Sequence, residues 1–335
     1  MSAPAENSGV RAELDALCAE GLLAPDQHRQ LVDRYPTTAW DVVRLVRWFT
    51  LLGALGMAAG ICVLAPKVID GRVALEIALS GAAAGLLFGA RRVAQSGLAR
   101  TAAAMELCAS LALQGLTAVL AIHFSTGSKN WPALVGVDAA LACVLAYALD
   151  NRLILIQTCV NTFTFLGGET GYASDWGAYW LGMDYPARFL AAGLATLAVA
   201  FAHLRWIAER WRPFARVYAH FGALSVHLSL WFLSLFGWYN GRLSFDGTVG
   251  VRVLFTLVWG ALSAGSYVYS RGTGLAVLGG YGLTFFVINL YTAYFQFVVA
   301  HTGELWFLHL LLVGGSLIGV ALAAERWRSA QKTGT

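Results

Sequence analysis

Long apolar stretches fill most of the chain after Trp48. Ten of them, each about 15 to 25 residues long, alternate with short charged turns. Because a helix needs roughly 20 apolar residues to cross the hydrocarbon core of a bilayer, this pattern predicts an all-α fold, a polytopic transmembrane helix bundle of about ten spans. We place these spans at residues 48–65, 73–90, 102–123, 132–149, 153–168, 186–204, 217–238, 251–270, 274–298 and 305–324.

The composition excludes an ordinary soluble domain. Hydrophobic residues make up 58% of the 335 residues and charged residues 13%, whereas soluble domains carry about 25% charged residues. The net charge of +4 comes from basic residues that lie mostly in the turns, so we expect the lipid bilayer as a partner and no nucleic acid. The five cysteines form no CxxC pair, and we expect neither a disulfide nor a metal site.

The basic residues also predict the orientation in the membrane. With ten spans and a cytoplasmic N-terminus, 17 of the 23 Lys and Arg residues lie inside and 6 outside. Because basic residues collect on the cytoplasmic side, we expect a multi-pass protein of the bacterial plasma (inner) membrane with both termini in the cytoplasm. The predicted parts are a cytoplasmic segment with a juxtamembrane turn, the bundle, and a basic cytoplasmic tail, at residues 1–47, 48–324 and 325–335.

The polar segment before the first span predicts a short N-terminal cytoplasmic helical hairpin. Leu14 and Leu17 share one face of a first amphipathic helix, and Gly21 offers its C-cap. A second amphipathic stretch carries Leu31 and Tyr35. No apolar h-region precedes these helices, so we expect no cleavable signal peptide. The apolar faces of the two helices are candidates for docking a cytosolic protein.

Two carboxylates lie within the predicted spans. Glu106 lies about one turn into its span, and Ser110, Gln114 and Thr117 continue the same helical face. Asp138 lies at a similar depth from the opposite side. A charge near the bilayer centre costs about 2.5 to 3.5 kcal/mol and usually faces the bundle interior. Two readings stay open: a relay for protons or cations, or shallow carboxylates that reach water or pair with a nearby basic residue.

The predicted fifth span is short and unusually polar. Gln157 and Asn161 lie four residues apart, and Gly167 and Gly168 are expected to end the helix. In lipid such amides must face protein or a wet cavity, or they join helices through hydrogen bonds that contribute about 0.6 kcal/mol each. The candidate intramembrane polar path therefore consists of Glu106, Gln114, Asp138, Gln157 and Asn161.

Small residues four apart predict where helices pack closely in lipid, because they let two backbones approach. This spacing occurs in the first, second and last predicted spans. The glycines concerned are Gly56 and Gly60, then Gly81, Gly85 and Gly89, and finally Gly315 and Gly319.

The N-terminal pattern and the helix after it resemble the DUF2157 family of predicted bacterial membrane proteins. The resemblance implies a short cytoplasmic helical hairpin followed by roughly eight to ten spans, and it brings no catalytic residue and no cofactor. The residues that carry it are Leu14, Leu17, Glu20-Gly21-Leu22-Leu23, Pro25-Asp26-Gln27, Leu31 and Tyr35, followed by Gly53, Gly56 and Gly60.

The sequence leaves two functions open, and neither of them is an enzymatic activity. Serine–histidine, HExxH and paired-aspartate motifs, which set a nucleophile, base or metal at fixed geometry, do not occur, so we expect no catalytic residues and no cofactor. One function is a transporter or permeation protein for a small solute or ion along the polar path. The alternative is a non-catalytic membrane scaffold or sensor that docks a cytosolic partner through Leu14, Leu17, Leu31 and Tyr35.

Overall fold

A computed structural model describes residues 4–32, 71–124, 131–173, 183–237, 249–273, 275–300 and 306–333. The regular structure of these residues is helical, which confirms the all-α fold. The helices are α1 (Pro4–Ala19), α2 (Pro25–Val32), α3 (Arg72–Gln95), α4 (Ala99–Phe124), α5 (Trp131–Leu149), α6 (Arg152–Ala173), α7 (Tyr185–Arg205), α8 (Phe214–Phe236), α9 (Val249–Thr273), α10 (Ala276–Tyr294) and α11 (Trp306–Thr333).

Seven helices in the described part of the chain are long and apolar enough to cross a membrane, and they fit an integral membrane protein. They are α3, α4, α5, α7, α8, α9, and α10 together with the π-helical turn Phe295–Val299 that follows it. Each coincides with a predicted span. The α6 and α11 helices also match predicted spans in position. The span predicted at 48–65 lies outside the described residues, so the count of ten stays a prediction.

The α6 helix is longer than the sequence predicts. We expected Gly167 and Gly168 to end it, and this prediction is wrong, because the helix continues to Ala173. A glycine costs a helix about 1 kcal/mol, but it also admits a neighbour. A Cβ added at Gly167 would lie 3.2 Å from Cζ of Phe189 on α7. The missing side chain therefore makes room for an aromatic ring.

The chain forms two compact units, residues 1–113 and 114–335, and the division falls inside α4. The predicted division after residue 47 lies outside the described residues and stays a prediction. In the first unit, Gly89 of α3 packs on Met105 of α4, whose methyl carbon would lie 2.8 Å from an added Cβ. Leu86 packs against the buried side chain of Cys108 on the same pair of helices.

The first unit also contains the two N-terminal helices. The α1 helix ends at a glycine, as the sequence predicts: Gly21 has φ +72°, and the Leu22 N–H donates to the Leu17 carbonyl at 3.0 Å. This pairing is typical of a glycine-terminated helix. Arg11 of α1 donates to the main-chain carbonyl of Val32 at the end of α2, at 3.0 Å. Their cytoplasmic location stays a prediction.

In the second unit α7 and α8 pack with their main chains in contact. A Cβ added at Gly193 would lie 3.0 Å from the main-chain nitrogen of Val226, and one at Gly222 would lie 2.9 Å from the Gly193 carbonyl oxygen. On α10, a Cβ at Gly282 would lie 2.6 Å from the Ser263 carbonyl oxygen of α9. By contrast, a Cβ at the predicted packing glycines Gly81, Gly85, Gly315 or Gly319 meets no described atom within 4 Å.

Buried polar groups also join α8, α9 and α10. The indole Nε1 of Trp259 donates to Nδ1 of His227 at 3.3 Å, and the His227 ring stacks on Phe285 with centroids 4.8 Å apart. The Asn289 amide donates to the Thr256 carbonyl at 2.9 Å. Because Nδ1 of His227 accepts, its proton lies on Nε2 in the neutral ring. These bonds hold helices together where no water can replace them.

Asp184 caps the N-terminus of α7. Its Oδ1 accepts from the Ala187 N–H at 2.9 Å, and the side chain is buried. Burial raises the pKa of this carboxyl, whereas the Ala187 N–H and the Arg188 charge lower it. The cap satisfies one of the free N–H groups that begin a helix.

We expect Asp184→Ala to destabilise the protein by about 1 kcal/mol, because the Ala187 N–H loses its acceptor inside the fold. Thermal unfolding in detergent measures the loss. Asp184→Asn is the control, since an amide oxygen can still accept that bond. Equal unfolding temperatures for Asp184→Ala and the unsubstituted protein would contradict a role for the cap.

Candidate functional site

A partly buried chain of hydrogen bonds joins α5, α7 and α8 near one end of the second unit. The Tyr147 hydroxyl lies 2.7 Å from Nε2 of His203 and 2.9 Å from the Tyr218 hydroxyl. His203 lies in the last turn of α7 and is only 1% exposed. Three helices thus contribute one group each to a continuous hydrogen-bond chain between apolar helices.

The direction of these bonds follows from the other nitrogen of the ring. Nδ1 of His203 lies 2.8 Å from the Val199 carbonyl oxygen, which can only accept, so Nδ1 carries a proton. In the neutral ring Nε2 must then accept, and Tyr147 donates to it. The Tyr147 hydroxyl has no second proton, so it accepts from Tyr218. The donor sequence therefore runs from Tyr218 through Tyr147 to His203.

Aromatic side chains fix the position of Tyr147. The rings of Trp211 and Phe214 meet it edge-on, with centroids 5.5 and 5.1 Å away. The Trp211 indole N–H also donates to the Tyr147 carbonyl at 3.3 Å. Edge-on aromatic pairs are favourable because ring edges are positive and faces negative. The hydroxyl is thereby held at a defined place between His203 and Tyr218.

The turn between α5 and α6 lies next to this chain. Asn151 caps α6, with its Oδ1 accepting from the Leu153 N–H at 2.8 Å. Before it, Asp150 adopts φ +55°, a left-handed conformation that Asp tolerates better than most residues. Its carboxylate lies 3.8 Å from the Arg210 guanidinium. Both side chains of this ion pair are exposed, so it contributes little to stability.

Tyr218 also lines a cavity of about 340 Å³ between α5, α6, α7 and α8. The volume is within the range of small-molecule sites, roughly 300 to 1,000 Å³. The hydrogen-bond chain therefore ends at a space that can hold a ligand. The described residues that line it are Gly136, Ala139, Ala140, Cys143, Thr158, Cys159, Thr162, Phe163, Phe165, Thr196 and Tyr218.

A second cavity, of about 430 Å³, is lined almost wholly by apolar groups. It lies between α6, α7 and α8, where Phe163 stacks with Phe189 at 6.0 Å and with Phe221 at 6.3 Å between centroids. Three of its lining residues carry hydroxyls, namely Tyr185, Ser225 and Ser229, and the Ser225 hydroxyl donates to the Phe189 carbonyl at 2.7 Å. Such rings pack well in a lipid environment without a polar ligand. We therefore place the candidate site at the hydroxyl-lined cavity.

Among the described residues, those of the predicted polar path do not line the cavity at Tyr218. Asp138 accepts from the Thr117 hydroxyl at 2.6 Å, which links α5 to the second half of α4. The Gln114 carbonyl lies 2.8 Å from the same hydroxyl. Thr117, which the sequence placed on one stripe with Gln114, is therefore the group that meets Asp138. Glu106 is half-buried on the first half of α4.

The two predicted amides on α6 lie on a different face from the threonines of the cavity. Gln157 is 9% exposed, and both polar atoms of its side chain are buried without a hydrogen-bond partner among the described residues. Nδ2 of Asn161, one turn further along, is also buried without one. A buried amide without a partner costs about 1 to 3 kcal/mol. Their place on the predicted path stays a prediction.

Three of the four predicted docking residues lie on the N-terminal helices. Leu14, Leu17 and Leu31 are half-buried, whereas Leu22 between the helices is 71% exposed. Tyr35 lies outside the described residues. A cytosolic partner for these helices stays a prediction.

Sequence reasoning missed Tyr147, His203 and Tyr218 as a group. Each lies near a helix end, where tyrosine and histidine commonly face the membrane interface, so no spacing distinguishes them. Tyr147 is 56 residues from His203 and 71 from Tyr218. A possible sequence signal is His203 itself, because a histidine in the last turn of an apolar helix needs a hydrogen-bond partner if it does not reach water.

No known protein family, curated protein or solved structure matches this chain.

Proposed function

We propose that this chain is a multi-pass transporter or permeation protein for a small solute or ion, and that the solute binds in the hydroxyl-lined cavity. The observation that carries the proposal is the link between the cavity and buried His203 through the Tyr147 and Tyr218 hydroxyls. A packed apolar bundle needs neither the space nor the polar chain.

Physical chemistry supports a functional role for such a site. Polar and ionisable groups within membrane helices are costly, and they commonly mark the routes of ions and substrates. Solute sites in transporters lie between helices, where polar groups line a cavity. Thr158 and His203 are both buried here, at 6% and 1% exposure. Hydrogen bonds that only join helices would also explain these buried polar groups. Such bonds do not require a cavity, however, and a cavity is present here.

The proposal includes an orientation. The hydrogen-bond chain lies beside the turns that carry Arg152, Arg205 and Arg210, and basic turns favour the cytoplasmic side. We therefore propose that His203 lies at the cytoplasmic end of the bundle, in a bacterial plasma membrane with both chain termini in the cytoplasm. The solute would meet the Tyr218 hydroxyl from the membrane interior.

Single-cysteine variants test whether water and solutes reach the cavity. We expect Cys143, which lines it, to react with a hydrophilic methanethiosulfonate reagent when it is the sole cysteine, because such reagents need a hydrated thiolate. Reaction is read by mass spectrometry of the protein in proteoliposomes. We also expect the modified protein to lose flux for whichever members of a panel of small ions and neutral solutes it conducts before modification.

Two other cysteines are matched controls. Cys18 is half-buried on α1 and outside the predicted spans, so it should react; Cys108 is buried on α4, so it should not. If Cys143 is as unreactive as Cys108, water does not reach the cavity and the proposal fails. It also fails if the unmodified protein conducts no member of the panel.

A further inference from the structure

The polar wall of the cavity presents hydrogen-bond acceptors. The Thr158 hydroxyl donates to the Ile154 carbonyl at 3.0 Å, and the Thr162 hydroxyl donates to the Thr158 carbonyl at 2.8 Å. On α7, the Thr196 hydroxyl donates to the Ala192 carbonyl at 2.8 Å. A hydroxyl has one proton and two lone pairs. With its proton directed to the helix backbone, each hydroxyl can only accept from a ligand.

The fourth hydroxyl of the wall behaves in the same way. When the His203 ring is neutral, Tyr147 donates to its Nε2, and Tyr218 therefore donates to Tyr147. All four hydroxyls that line the cavity therefore have their protons engaged within the protein. The two thiols, Cys143 and Cys159, are only weak donors.

The rest of the wall favours positive charge as well. The rings of Phe163 and Phe165 line the cavity, and an aromatic face attracts a cation that lies within about 6 Å of its centre. None of the described lining residues is charged. An anion would find no strong donor here. A divalent metal would find no carboxylate, which Ca²⁺ and Mg²⁺ sites usually include.

We propose that the cavity binds a small organic ammonium cation. Its N–H groups donate to the acceptor oxygens of Thr158, Thr196 and Tyr218, and its charge and alkyl part lie against Phe163 and Phe165. The volume of about 340 Å³ corresponds to roughly ten water molecules, so the cavity has room for the alkyl part of an amine as well as for its ammonium group. The role of this cation as the transported solute rests on the proposed function, whereas its binding does not.

Binding of radiolabelled methylammonium to the purified full-length protein in detergent tests the proposal. The assay is run at mildly alkaline pH, where imidazoles are neutral and methylammonium is still charged. We expect saturable binding that unlabelled methylammonium chloride displaces. Urea, which has N–H donors but no charge, and sodium formate, which supplies an anion, should not displace it.

Isosteric variants locate the site. Thr158→Val and Thr196→Val each remove one acceptor oxygen, and we expect each to weaken methylammonium binding roughly tenfold or more, as for a hydrogen bond to a charged group. Thr256→Val is the matched control. Thr256 is also buried and donates to a main-chain carbonyl one turn back, that of Arg252 at 2.8 Å, but it lies on α9 away from the cavity. We expect it to bind methylammonium unchanged.

The outcomes separate this inference from the proposed function. Saturable methylammonium binding that both cavity variants weaken, without flux in proteoliposomes, supports the inference and overturns transport. Flux of an anion or a neutral solute with no methylammonium binding overturns the inference and supports transport. Equal loss in Thr256→Val, or displacement by urea, also overturns the inference.

Discussion

Tyr147→Phe lowers the free energy of unfolding by about 1 to 3 kcal/mol and interrupts the hydrogen-bond chain between His203 and the cavity. Among the described residues, the Tyr147 hydroxyl is the donor to Nε2 of buried His203, and a buried polar atom that loses its partner costs about that much. Tyr218 loses its acceptor too, but it can turn its hydroxyl toward the cavity. Thermal unfolding in detergent measures the loss of stability, and flux in proteoliposomes measures the loss of function.

Two further variants make this result specific. Tyr267→Phe is the control, because its hydroxyl accepts from the exposed Arg271 guanidinium at 2.6 Å near the end of α9, where water can replace that bond. In the double variant Tyr147→Phe with Tyr218→Phe, we expect a loss smaller than the sum of the two single losses, since the residues share one chain. Strict additivity, or an unchanged unfolding temperature for Tyr147→Phe, would contradict the hydrogen-bond chain.

Gly222→Ala separates α7 from α8 and lowers the free energy of unfolding by about 1 to 3 kcal/mol. The added Cβ would lie 2.8 Å from Cγ of Leu197, 2.9 Å from its main-chain nitrogen and 2.9 Å from the Gly193 carbonyl oxygen. Main-chain atoms cannot rotate away, so the helices must move apart, as in other overpacked cores. The unfolding temperature in detergent should fall by several degrees.

Gly265→Ala is the matched control for this prediction. Gly265 is also a helical glycine, on α9, but no atom of the described residues outside its own helix backbone lies within 4 Å of an added Cβ. We expect no loss, and a gain of up to about 1 kcal/mol, because alanine is a better helix former than glycine. If Gly222→Ala unfolds at the same temperature as Gly265→Ala, α7 and α8 do not approach this closely.

Much of the fold could be predicted from the sequence, because length and apolarity suffice to define a membrane helix. The helices from Arg72 to Gln95 and from Tyr185 to Arg205 match their predicted spans closely. The end of α6 could not be predicted, because glycines that end helices in water can serve packing in lipid, as Gly167 does. The resemblance to DUF2157 stays a prediction.

The site was much harder to predict. Gly193 and Gly222 pack together but lie on different helices, so no four-residue spacing in the sequence indicates their contact. Tyr147 and His203 likewise meet only through the tertiary fold. Carboxylates such as Glu106 and Asp138 are easily recognised as candidate site residues in a hydrophobic sequence, whereas hydroxyl-bearing residues are not. Their chemistry depends on where each proton points, and only neighbours decide that.

The main-chain contact between α7 and α8 limits how the cavity can open. Helices whose backbones touch at Gly193 and Gly222 cannot part without leaving a void, so these two move as one rigid body. The opposite wall belongs to α5 and α6, which pack against each other. In the proposed transporter, alternating exposure to the two sides of the membrane must therefore follow the seam between the two helix pairs. The bonds from Tyr147 to His203 and Tyr218 cross this seam, and every such motion has to break them.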